Sequence, residues 1–96
     1  MAAITRSPSA IDDCLAYLLE EWEGLAHVER RWPAMEAVDR EAFHLEWAGV
    51  IEPRLRELSE WGAAGDLSRE QLASFAALLE LVRQRRGFIT AVFAEA

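Results

Sequence analysis

Glu41 and His44 stand three residues apart in the stretch EAFHLEWAG. On a helix that spacing puts a carboxylate and an imidazole on one face, where they can share one divalent transition metal ion, iron included. The same pair fits a plainer role. At about 100° per residue, His44 falls inside the apolar arc of Phe43, Trp47 and Ile51, and Glu41 lies at its edge. A histidine on the border of a core, bonded to one carboxylate, needs no metal. Cys14 lacks the companion motif of a nucleophile and reads as a small buried hydrophobe. Arg83, Gln84, Arg85 and Arg86 form a dense basic run, which reads as a solvated helix face rather than a phosphate contact. Arg86 interrupts an apolar seam and is expected to pair with Glu29, which is similarly placed on the first helix. The sequence contains no Gly-rich phosphate loop and no catalytic constellation. The expectation is a non-enzymatic chain without a cofactor.

The elements that must carry these residues are helices. Ala, Leu, Glu and Arg dominate, and few windows alternate as strands do. Residues 1–8 read as a flexible lead-in ending at Pro8, and 9–96 as one domain. Ser9 is expected to cap the first helix, with Asp12 and Asp13 complementing its dipole. Its seam is Ile11, Leu15, Leu18, Trp22 and Leu25, spaced alternately four and three. Trp32-Pro33 breaks this helix after Arg31. Trp32 is the tryptophan expected to be exposed, and an exposed tryptophan is a good binding anchor.

The second helix is expected to open at Pro33 or at Asp39. It carries the stripe Phe43, Trp47, Val50, Ile51, Leu55, Leu58 and Trp61. Pro53 falls inside that stripe, four residues after Gly49, so a kink or split is expected near Gly49/Pro53. Residues 62–66 are the loop. Ser68 with Gln71 predicts a capping box, and Leu67 with Leu72 a hydrophobic staple. The third helix shows a seam of Leu72, Phe75, Leu79, Val82, Ile89 and Phe93. Leu78, Leu81, Phe88 and Val92 lie on its flank, and Gly87 is a weak point. A helix apolar on two sides must be covered on two sides. Leu81, Phe88, Val92 and Phe93, together with Trp32, are therefore the expected interface. The architecture that follows is an all-α antiparallel bundle of three main helices, dimeric, with its third helix central or dimer-facing.

Composition narrows the function. A chain of 96 residues buries only about 60–65% of its unfolded surface, so it gains from pairing with a copy of itself. Its net charge of −7 argues against nucleic acid and against anionic membrane, and favours a basic protein partner. One cysteine excludes an internal disulfide and points to the cytoplasm. No run approaches the roughly 18 apolar residues of a membrane span, and MAAITRSPS lacks the apolar region of a secretory signal.

Two family resemblances attach to EAFHLEWAG. Glu41-x-x-His44 resembles the step used by ferritin-like di-iron proteins, among which encapsulated ferritins are similar in size. Those proteins build their site across a subunit interface from one such step per chain. The resemblance implies an iron site shared between copies, with Glu41 and His44 as ligands and Glu29 as the additional one. Trp47-Ala48-Gly49 resembles the motif of the Trp-x-Gly family of small secreted helical hairpins, which implies a turn at the chain centre. The residues themselves support a third expectation most strongly. This is a small acidic interaction module, an adaptor, chaperone or inhibitor of another protein, acting as a homodimer or higher oligomer.

Overall fold

The seam of Ile11, Leu15, Leu18, Trp22 and Leu25 becomes the buried face of α1, Pro8–Arg31. The computed structural model describes residues 7–95; residues 1–6, most of the expected lead-in, and residue 96 lie outside the described residues. The helix starts earlier than expected. Ser7 rather than Ser9 is the N-cap, its hydroxyl accepting from the Ala10 amide at 3.2 Å. Pro8 then takes the first helical position, where a proline forfeits no helical hydrogen bond. Arg30 and Arg31 occupy the last turn, as the dipole favours.

A 3-10 turn at Trp32–Ala34 ends α1. The next helix, α2, spans Ala37–Glu46, with Glu36 as its N-cap; neither Pro33 nor Asp39 opens it. A π turn, Trp47–Ile51, joins α2 to α3, Glu52–Ala63, with no break in the helical path. In that turn the Glu52 amide donates to the Trp47 carbonyl, five residues back. A widened turn of this kind relieves the clash between a proline ring and the carbonyl four residues before it. The distortion expected near Gly49/Pro53 is thus a π turn just ahead of Pro53 rather than a split helix.

The loop after α3 is a Schellman closure. The Asp66 amide donates to the Trp61 carbonyl at 3.0 Å, and the Gly65 amide to the Gly62 carbonyl at 3.1 Å. Gly65 has φ +81°, the left-handed conformation that this closure needs and that glycine adopts without strain. The capping box at Ser68 and Gln71 is formed, with bonds of 3.1 and 2.9 Å. Leu67 is buried, but Leu72 is 47% exposed, so only one half of the expected staple packs inward.

The last helix, α4, runs unbroken through Gly87 over Arg69–Ala94. Its inward face is Gln71, Phe75, Leu78, Val82, Arg85, Ile89 and Val92, all buried or half-buried. Phe75, Val82 and Ile89 face inward as expected, but Gln71 and Leu78 take the inward places expected of Leu72 and Leu79, which stay on the outside. Apolar residues surround much of α4, so periodicity alone does not fix its rotation. The Gln71 carboxamide does: it donates to the Pro8 carbonyl at 3.1 Å and to Asp12 Oδ1 at 2.9 Å, which turns that edge of α4 toward the start of α1.

The three helical rods form an all-α antiparallel bundle. The helix against which both of the others pack is α1, not the last helix. The molecule measures 48 × 28 × 20 Å with a radius of gyration of 15.0 Å. A rounder domain of this length would give about 12–13 Å, so a large share of the surface lies along helix flanks.

Candidate functional site

The 3-10 turn carries Trp32 back over the end of the bundle, where it is 6% exposed. Its ring meets Phe43 and Phe88 edge-on, at 5.4 and 5.7 Å between centroids. The Arg40 guanidinium lies 5.0 Å from its ring centre, and Arg40 Nη2 also donates to the Trp32 carbonyl at 2.6 Å. The indole N–H donates to Glu95 Oε2 at 3.2 Å. Trp32 is therefore a core residue of this chain and not the exposed anchor that its place beside Pro33 suggests. Val92 is buried as well, and Leu81, Phe88 and Phe93 are half-buried against the core. The expected interface is in large part the inside of the bundle.

His44 belongs to the same aromatic end. Its ring centre is 5.0 Å from that of Phe93, and Nε2 lies 3.1 Å from the Val92 carbonyl oxygen. A carbonyl only accepts, so Nε2 carries the proton and donates. In the neutral ring that leaves Nδ1 as the nitrogen with a free lone pair. Glu41 and Glu29 are both exposed. Among the described residues, no group of three His, Cys, Asp or Glu side chains stands close enough to hold a metal ion. Among the described residues, the one polar bond that His44 makes ties α2 to α4.

At mid-bundle, Glu52 replaces Glu29 as the partner of Arg86. Arg86 Nη1 donates to Glu52 Oε2, which also accepts from the Trp47 indole at 2.9 Å. The guanidinium lies 5.0 Å from the ring centre of Trp22, which meets Trp47 edge-on at 4.9 Å. The charge in the seam is thus answered by a carboxylate from α3. Glu29 lies near the end of α1, seven residues from Trp22 and beyond that contact. On the outer face Arg83 pairs with Glu80, both well exposed; solvent screens such a pair, and it contributes little to stability. Cys14 is buried, and that burial pushes its thiol above the ordinary range, the opposite of an activated nucleophile.

Trp47-Ala48-Gly49 lies in the π turn, inside a continuous helical run, and not at a turn between antiparallel helices. Trp47 is buried there, and its ring stacks on that of Phe43 at 5.4 Å and 20°. Beside these two rings runs a groove between α1 and α2, with Glu21 and Glu46 at its rim. The Glu21 carboxyl is held above the ordinary range, first by partial burial and then by the charges of Glu46 and Glu20. Periodicity marks Phe43 and Trp47 as apolar, yet nothing in the sequence places Glu21 opposite Glu46 across a cleft.

Outside the core, four large apolar side chains among the described residues stand in water. Val38 and Leu45 on α2 are 67% and 69% exposed, and Leu72 and Leu79 on α4 are 47% and 43% exposed. Each pair is seven residues apart and so lies in one row along its helix. No family model, curated protein or solved structure matches the chain.

Proposed function

We propose that the chain is a small, acidic, non-enzymatic interaction module that assembles with copies of itself and engages another protein as an adaptor, chaperone or inhibitor. The observation that carries this reading is the pair of exposed apolar rows, Val38/Leu45 and Leu72/Leu79. Exposed Ala42 and Ala76 fill the positions between them, giving the four-and-three spacing that helix-to-helix contacts use. Leaving such rows in water forgoes the gain from burial, about 1.5–3 kcal/mol for each large side chain. A bundle with no spare interior for them can cover them only with another surface. The free, buried Cys14 suits a reducing compartment such as the cytoplasm. Among the described residues no helix is long and apolar enough to cross a membrane.

The test is absolute mass in solution, by size exclusion with light scattering, for the parent and for Leu45→Glu and Leu79→Glu. Both positions are on the surface, so circular dichroism should be unchanged. The parent is expected to run as a dimer or larger. At least one variant should dissociate about 10–100-fold more readily, the equivalent of burying one leucine. A parent that stays monomeric at every concentration tested removes self-assembly from the reading.

A further inference from the structure

The groove between α1 and α2 has a volume of about 240 Å³, below the roughly 300–1,000 Å³ of pockets that take drug-sized ligands. It has room for one side chain. Leu25, Val28, Phe43 and Trp47 floor it, Gly24 forms one wall, and the two carboxylates sit at the mouth. Gly24 is the telling residue. In the middle of a helix a glycine costs about 0.5–1 kcal/mol relative to alanine. A Cβ placed there would meet nothing within 4 Å, so the packing of this chain does not call for its absence. Without a side chain at Gly24, that wall of the groove stays open, and another side chain can lie close to the backbone there.

The rim says what that something carries. Neither Glu21 nor Glu46 is in an ion pair among the described residues. The two carboxylates repel each other across the cleft, and a cation between them turns that repulsion into attraction. The net charge of −7 draws a basic partner to the surface as a whole.

We infer that this groove is a docking pocket for a lysine or arginine side chain on a basic segment of a partner protein. The aliphatic stem lies along Gly24, Leu25 and Val28, and the charged head sits between Glu21 and Glu46. This deepens the interaction-module reading and rests on it for the class of partner; it does not depend on self-assembly.

The experiment is a titration of 15N-labelled protein with a short amphipathic peptide of Leu, Ala and Lys, and with its counterpart bearing Glu at every Lys. The reporters are the Gly24 amide and the Trp47 indole N–H. The lysine peptide should give saturable shifts centred on those two signals, and the glutamate peptide none. Gly24→Leu fills the pocket, and the double variant Glu21→Gln/Glu46→Gln removes its charge. Each should weaken binding at least about 10-fold with circular dichroism unchanged. Shifts spread over the acidic surface without a focus at Gly24 and Trp47, or a Gly24→Leu variant that binds like the parent, overturn the inference. In the second case Leu45→Glu and Leu79→Glu report separately on self-assembly, so loss of the pocket and loss of the module are told apart.

Discussion

Trp22→Ala is expected to lower stability by about 3–5 kcal/mol, the largest effect of any single substitution considered for this chain. Trp22 is fully buried at the middle of α1. Its ring supports the edge of Trp47 on one side and the Arg86 guanidinium on another. Truncation opens a cavity of nearly a whole indole and also undoes two placements. Trp47 loses its contact, and Arg86 keeps its bond to Glu52 but loses the surface over which its charge is held. A domain of this size has a total stability of about 5–10 kcal/mol. The variant should therefore sit near the edge of folding at 25 °C. In urea its midpoint should fall by about 2–3 M, taking a slope near 1.5 kcal/mol per M. A midpoint within about 0.5 M of the parent would mean that the Trp22–Trp47–Arg86 stack is not the centre of the bundle.

Gln71→Ala should follow, at about 2–3 kcal/mol, although Gln71 is neither apolar nor charged. Its side chain makes three bonds in a buried setting: it accepts from the Ser68 amide and donates to the Pro8 carbonyl and to Asp12. The first closes the cap of α4, and the other two fasten the start of α4 to the start of α1. Ser68→Ala removes the cap alone and should cost about 1 kcal/mol. The difference between the two variants, read from chemical denaturation, is the worth of the tether. If they prove equal, the bonds to Pro8 and Asp12 contribute nothing, and the rotation of α4 is set by its apolar residues instead.

That rotation is where the sequence is hardest to read. Along α1 the apolar residues fall on one clean seam, so Ile11 to Leu25 could be placed inside from spacing alone. Ser68 and Gln71 were legible as a cap because the two residue types answer each other at a fixed offset. On α4 the apolar positions wrap around the helix, so two phases fit almost equally. A polar residue, Gln71, decides between them by bonds to a segment 59 and 63 residues away. Trp32 is hard to place from sequence for a related reason. Proline beside it marks a chain break, and a break usually means solvent, but the 3-10 turn folds this one over the bundle end. At the candidate groove, the floor was legible as apolar stripe while the rim was not. Glu21 and Glu46 belong to different helices, and only the docking of α2 on α1 sets them face to face.

The π turn has a kinetic consequence. The ten-residue α2 holds no fully buried side chain and is bounded by a 3-10 turn on one side and the π turn on the other. Its attachment is a few ring contacts, the Arg40 guanidinium over Trp32 with its bond to the Trp32 carbonyl, and the His44 bond to α4. A segment so bounded can detach as its own cooperative unit while α1, α3 and α4 stay assembled, at a free energy well below that of global unfolding. Backbone amides from Val38 to Leu45 should then exchange with solvent deuterium orders of magnitude faster than those from Leu15 to Trp22. Equal protection in the two stretches would mean that α2 opens only with the whole molecule. In the detached state Phe43 and the face of α1 beneath α2 are uncovered, so a sparsely populated conformer presents more apolar surface to a partner than the closed bundle does.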